Sequence, residues 1–152
     1  MTAASQILLG SALLTACALV HVGFVAIMVP LLSRAHGRMR QASVRLRAMV
    51  LTSEAVLLVL VAHTIQVWAW SLALYAMGAF ADFPTSFYFA TTTYTTLGYG
   101  DLVLQDGLRI FGTFAAITGL LTFGISTALL MGLVVRLLPS LATSRREDDQ
   151  RH

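Results

Sequence analysis

Charge is what this sequence of 152 residues has least of. Asp, Glu, Lys and Arg make up 11% of its side chains, against roughly 25% in an ordinary soluble domain. Lysine is missing altogether, so all ten basic side chains are arginines. Cysteine occurs once, at Cys17, and a single cysteine closes no disulfide within the chain, which excludes a disulfide scaffold. The apolar residues, 57% of the total, come in long runs that exclude disorder. They also exclude a nucleic-acid module, despite the formal net charge of +3. A chain this poor in charge is not kept in water. Its solvent is a bilayer.

Three stretches are long enough to cross one. Ile7–Leu32 and Ile110–Val135 carry no charged side chain, and Met49–Ala81 carries a single carboxylate, Glu54. About 20 mainly apolar residues span the roughly 30 Å hydrocarbon core, so each stretch suffices with some tilt. Backbone groups find no water there, which makes all three helices. Between the second and third lies Phe83–Leu97, too short and too polar to span, the mark of a re-entrant or interfacial segment.

Orientation follows from the arginines. Arg34, Arg38, Arg40, Arg45 and Arg47 fill the first loop, and Arg136, Arg145, Arg146 and Arg151 lie at or beyond the end of the third span. Both regions are expected to be cytoplasmic, which puts the N-terminus outside. The segment from Asp82 to Gly107 then faces outward. Its flanks hold Asp82, Asp101 and Asp106 against Arg109 alone, a carboxylate excess that concentrates cations. Leu14-Thr15-Ala16-Cys17 looks like a lipoprotein cleavage box. No basic segment precedes it, and the apolar run continues to Leu32, so the first stretch is read as a retained span.

Asp82 before Pro84 suits the start of a helix, because proline's missing N–H costs nothing in the first turn. A short helix is predicted from about Pro84 to Thr95. It runs into Thr95-Thr96-Leu97-Gly98-Tyr99-Gly100-Asp101. This segment resembles the potassium-channel pore family, whose signature is T-T-V-G-Y-G-D; only Leu97 departs from it. The resemblance covers about Met49–Leu138 and does not clearly cover Met1–Arg47.

The chemistry explains why such residues stand there. A dehydrated potassium ion needs oxygens in place of its hydration shell, and backbone carbonyls hold it less tightly than carboxylates would. Aiming successive carbonyls at one axis takes alternating dihedrals, and glycine adopts the left-handed ones cheaply; Gly98 and Gly100 are those positions. By resemblance, the carbonyls of Thr96, Leu97, Gly98 and Tyr99, with the Thr96 hydroxyl, form the ion sites. Gly100 completes the filter, Tyr99 braces it from behind, and Thr95 and Asp101 support its ends. In many relatives a tryptophan bonds the aspartate and a glutamate stands behind the filter. The matching positions here are Phe89 and Thr92, so Asp101 is expected to seek another donor, such as Tyr88 or Tyr94. The other reading of Gly-Tyr-Gly, a turn joining two membrane helices, accounts for the glycines but not for Thr95-Thr96 or the short helix.

Gly119 and the following residues resemble the inner helix of small bacterial potassium channels, where the glycine permits bending. Leu120, Phe123, Thr127 and Met131 fall near one helical face, which either lines a water-filled cavity and inner mouth or packs on a neighbouring helix. His21, Glu54 and His63 are ionisable groups inside apolar stretches, hence candidates for sensing or for interhelical hydrogen bonds. Glu54 and His63 are on opposite sides of their helix, whereas His63, Gln66 and Trp70 share a face. The first helix has no internal arginines and is no voltage sensor.

The sequence thus predicts an all-α membrane protein. Three transmembrane helices hold a re-entrant pore helix and selectivity filter between the second and third, and the chain is assembled as a four-fold pore. Residues 1–47 form a peripheral helix and basic loop, 48–138 the pore domain, and 139–152 a short charged cytoplasmic tail. The expected function is a potassium-selective channel, not an enzyme, with K+ at the filter residues and no other cofactor. Its partners are three identical subunits and the lipid bilayer, without nucleic acid. Its place is a cell membrane, and the all-arginine, Ala- and Leu-rich composition suggests a bacterial inner membrane. Two alternatives stay open on residues alone: a weakly selective cation-channel subunit, and a metal or proton sensor or transporter built on His21, Glu54 and His63.

Overall fold

The computed structural model describes residues 1–39 and 41–149. Arg40 and Arg151 lie outside the described residues, as do the side chains of Arg145 and Arg146 and of the expected charged tail. Among the described residues there are four helices and no strand: α1 (Ala3–Arg38), α2 (Val44–Ala76), α3 (Phe83–Tyr94) and α4 (Arg109–Asp149). Three are long and apolar enough to cross a membrane, over Ala3–Arg34, Val44–Ala76 and Arg109–Leu137. The chain is an all-helical membrane protein with three such spans.

The helix ends differ from the hydropathy limits for local reasons. The second span ends at Ala76 rather than Ala81, because Gly78 takes φ +67°. Its N–H bonds the Tyr75 carbonyl and that of Ala79 bonds Leu74, both at 3.0 Å, the paired closure that a left-handed glycine permits. At its other end Ser43 accepts from the Leu46 N–H at 3.3 Å. α1 and α4 run past their charge-free stretches because a helix continues into polar flanks without cost to its backbone bonds.

α1 packs along both α2 and α4, and α3 sits against α2 and α4. α1 and α4 run parallel. Gln6 stands beside Ile110 at one end, while Met28 and Leu32 share a cavity with Leu129 and Leu133 toward the other. The core joins all four helices through Cys17, Trp70, Leu74, Ala90, Tyr94, Phe111 and Ala115. Outward-facing Leu8, Leu19, Met49 and Leu57 are all more than half exposed in the single chain. Large exposed apolar faces of this kind are covered by lipid or by protein partners.

Candidate functional site

The segment between α2 and α4 begins at a well-built helix start. Asp82 is the cap of α3: its Oδ1 accepts from the Thr85 N–H at 2.8 Å and its Oδ2 from the Thr85 hydroxyl at 3.0 Å. Pro84 occupies the first turn. The helix ends one residue earlier than predicted, at Tyr94, and Thr95 caps it with its N–H and hydroxyl both on the Thr91 carbonyl. The partially negative C-terminus of α3 therefore adjoins Thr96.

From Thr96 to Gly100 the sign of φ alternates residue by residue. Thr96 (+59°), Gly98 (+48°) and Gly100 (+77°) are positive, while Leu97 and Tyr99 are not. Two of these positions are the glycines assigned from the motif. Thr96 is an addition, since a β-branched residue at positive φ is an outlier that sequence gives no reason to expect. The Gly98 N–H bonds the Thr92 carbonyl at 3.1 Å, so Thr92 touches the Thr96–Gly100 segment through its backbone. Its side chain turns back to the Phe89 carbonyl. Residues 95–100 are all exposed in the single chain.

Asp101 finds its donor in Tyr88, whose hydroxyl gives a 2.7 Å hydrogen bond to Oδ2, and Oδ1 accepts from the Leu102 N–H at 3.0 Å. The hydrogen bond to Asp101 raises the Tyr88 phenol above its usual value, with burial and the nearby charges acting in the same direction. Phe89 is turned away from Asp101 and packs on Phe80, ring centroids 5.2 Å apart.

Tyr94, the other donor considered for Asp101, points the opposite way, into a buried polar cluster drawn from all four helices. Its hydroxyl reaches Gln66 Oε1 (3.0 Å), His63 Nδ1 (2.7 Å) and Thr122 Oγ1 (2.9 Å). His63 Nε2 meets Ser126 Oγ at 3.0 Å, Ser126 Oγ meets His21 Nε2 at 3.0 Å, and His21 Nδ1 meets Gln66 Nε2 at 3.0 Å. All of these side chains are buried. The intramembrane trio read from sequence is thereby divided. His21 and His63 come together, with ring centroids 5.2 Å apart, whereas Glu54 lies along an outer groove with Leu46, Met49 and Leu57. Among the described residues no three His, Cys, Asp or Glu side chains gather as metal ligands. Trp70 shares the buried face of α2 with His63 and Gln66, as the spacing predicted.

α4 has two faces. Phe111, Ala115, Thr118, Thr122 and Ser126 are buried against the rest of the chain, while Leu120, Phe123, Thr127 and Met131 are exposed. Gly119 lies so close to α3 that an added Cβ would fall on the Tyr94 carbonyl. α4 continues through Gly119 without a break, so here the glycine serves close approach to α3. Tyr94, Thr122, Ser126 and Gln6 were not singled out from sequence as parts of such a site. The one available signal was the four-residue spacing of Thr118, Thr122 and Ser126, polar groups on one face of an apolar helix.

A family model described as "Ion channel" matches residues 54–136, which take in most of α2, all of α3, the loop and the spanning part of α4. No curated protein and no solved structure matches the chain.

Proposed function

Since residues 54–136 place the chain in the ion channel family, to which it belongs, we propose that it conducts potassium selectively through a filter formed by Thr96–Gly100. The observation that carries this reading is the alternation of φ sign across Thr96, Leu97, Gly98, Tyr99 and Gly100, within a motif that departs from the potassium-channel signature only at Leu97. Alternating dihedrals let successive carbonyls share one side of a strand, where they replace the hydration shell of a cation. K+ is the transported ion, bound by the carbonyls of Thr96, Leu97, Gly98 and Tyr99 and the Thr96 hydroxyl.

One chain supplies one such strand, and its exposed polar backbone needs partners at membrane depth. Four copies around one axis enclose the ion, so the working unit is a homotetramer. The C-terminus of α3 in each subunit then adds partial negative charge below the filter. The exposed face of α4, with Leu120, Phe123, Thr127 and Met131, lines the cavity. By the arginine distribution, the filter mouth and N-terminus face outward and the α1–α2 loop is cytoplasmic. The protein acts as a passive pore and not as an enzyme.

Purified protein in liposomes tests the reading. K+ efflux that greatly exceeds Na+ efflux supports it. Equal flux of both ions leaves a weakly selective cation channel, and no flux of either rejects the conducting role.

A further inference from the structure

The hydrogen bonds among Gln66, His21, Ser126, His63 and Tyr94 close a ring, and their directions follow once the buried Gln66 Oε1 takes its donor from Tyr94. Gln66 Nε2 can only donate, so His21 Nδ1 accepts from it. Neutral His21 then carries its proton on Nε2 and donates to Ser126 Oγ. Tyr94 donates to Gln66 Oε1, so its oxygen accepts from His63 Nδ1–H. Neutral His63 is therefore bare at Nε2 and accepts the Ser126 hydroxyl proton. Each of the five side chains gives one hydrogen bond and takes one, with the two histidines in opposite tautomers.

Ser126 makes this ring a site. Its Oγ also lies 2.8 Å from the Thr122 carbonyl, a second acceptor within reach of the same proton. If His63 gains a proton on Nε2, the Ser126 hydroxyl can turn to Thr122, and Oγ then accepts from both imidazoles. Every hydrogen bond of the ring is still made. A proton added to His21 has no such outlet, because its Nδ1–H would face the Gln66 amide N–H. His63 also stacks on Phe123 at a centroid distance of 4.4 Å, an electron-rich face for an imidazolium.

We infer that the ring behind the filter is a binding site for one proton per chain, taken up at His63, and that its occupancy lowers cation flux. The titratable groups facing His63 are His21 from α1 and Tyr94 from α3; α4 presents Ser126, Thr122 and Phe123, which carry no charge. Cys17 packs in the core that holds Tyr94, and Glu54, the one acid of α2, lies on the opposite side of that helix. Among the described residues no acid faces the ring to neutralise the added charge. It stands behind the pore helix's last residue and against Phe123 of the proposed cavity face, repelling cations on the conduction path. This effect on flux rests on the potassium-channel reading; the order of protonation does not.

The test takes the full chain with His36 and His152 replaced by asparagine, 15N-labelled at histidine and held in lipid bilayers. At about pH 8 the imidazole nitrogens should report Nε2–H at His21 and Nδ1–H at His63, and on stepwise acidification to about pH 4 or below His63 should become doubly protonated before His21. Identical tautomers, or His21 protonating first, overturns the site. In liposomes the wild-type K+ flux should fall about tenfold between those conditions, and His63→Gln should reduce that ratio to about twofold or less, whatever its absolute flux. An unchanged ratio in His63→Gln overturns the proposed link to flux. A wild type that shows no flux at any pH refutes the channel reading, while the nitrogen spectra still decide the proton site.

Discussion

The hydroxyl of Tyr88 stands 2.7 Å from the carboxylate of Asp101, joining the middle of α3 to the residue that follows Gly100. In the proposed channel a tyrosine would take the place of the tryptophan found one position later in many channels of the family resembled. Phe89, at that later position, is committed to Phe80 and the core.

Tyr88→Phe removes the donor and leaves Asp101 with only the Leu102 N–H. Macroscopic current at low external potassium is expected to decay severalfold faster in Tyr88→Phe than in wild type. Adding Asp101→Asn should change it little further, because both residues serve one contact. The bond uses the protonated phenol, whose titration Asp101 shifts upward. The donor is complete below the ordinary tyrosine range and is lost as pH rises through the shifted value, so alkali should break this contact. Fully additive effects of the two substitutions would contradict a shared contact.

Gly119→Ala and Gly124→Ala form a matched pair. At Gly119 the new methyl meets the Tyr94 carbonyl, a backbone atom that cannot step aside. At Gly124 nothing lies within 4 Å of a Cβ in the chain. Overpacking costs about 1–3 kcal/mol in typical cores, and Gly119→Ala should cost at least that, with lost thermal stability and lost flux. Gly124→Ala should gain up to about 1 kcal/mol of helix propensity. Thermal unfolding in detergent distinguishes them, and equal behaviour would refute the close approach of α4 to the pore helix.

The three spans and the short helix were legible because hydropathy and capping act locally. Asp82, Pro84 and Thr95 each do their work within a few residues. The end of α2 at Ala76 was missed although Gly78 signals it, because Gly78 lies inside an apolar run that hydropathy alone extends to Ala81. The filter motif announced Gly98 and Gly100 but not the positive φ of Thr96. The polar ring was half visible. His21, Gln66 and His63 stood out as polar groups in apolar stretches, yet their partners Tyr94, Thr122 and Ser126 are ordinary residues until four helices meet. Glu54 was already separable from His63 by helical spacing, and packing places it along an outer groove away from the ring.

Gly98 holds a backbone conformation that residues with a side chain rarely adopt. With φ at +48°, a Cβ costs roughly 1–2 kcal/mol and would twist the carbonyl from its direction. Gly98→Ala is expected to abolish potassium flux. Thr96→Ser keeps the hydroxyl while removing the β-branch that strains φ +59°, and should retain selective flux. Liposome assays comparing potassium and sodium efflux check both, and an active, selective Gly98→Ala channel would remove the filter from this segment.

Orientation is open to chemical labelling. With Cys17 replaced by alanine, a cysteine at Ser5 should react with an impermeant thiol reagent applied outside intact cells, and one at Arg38 should not. Both positions are exposed or partly so in the structure. Arg38 belongs to the arginine-rich loop expected on the cytoplasmic side. Labelling at Arg38 alone would invert the topology.

Gln6 ties α1 to the start of α4. Its side chain is buried, and its Oε1 accepts from the Ile110 N–H at 3.0 Å and the Phe111 N–H at 3.3 Å. These are among the first N–H groups of α4, which have no carbonyl within their own helix. A side-chain oxygen from another helix therefore fills the role usually taken by a local cap. Gln6→Ala leaves those donors without this partner and should cost about 1 kcal/mol, read as a fall of a few degrees in thermal unfolding in detergent. Gln6→Glu keeps the oxygen and places a negative charge at the partially positive end of α4, so it should unfold no earlier than wild type at neutral pH. Because this contact reaches α4 ahead of the inner-helix segment, Gln6→Ala should also reduce potassium flux less than Gly119→Ala does. If Gln6→Ala and Gln6→Glu destabilise equally, the two N–H bonds contribute nothing to holding α1 against α4.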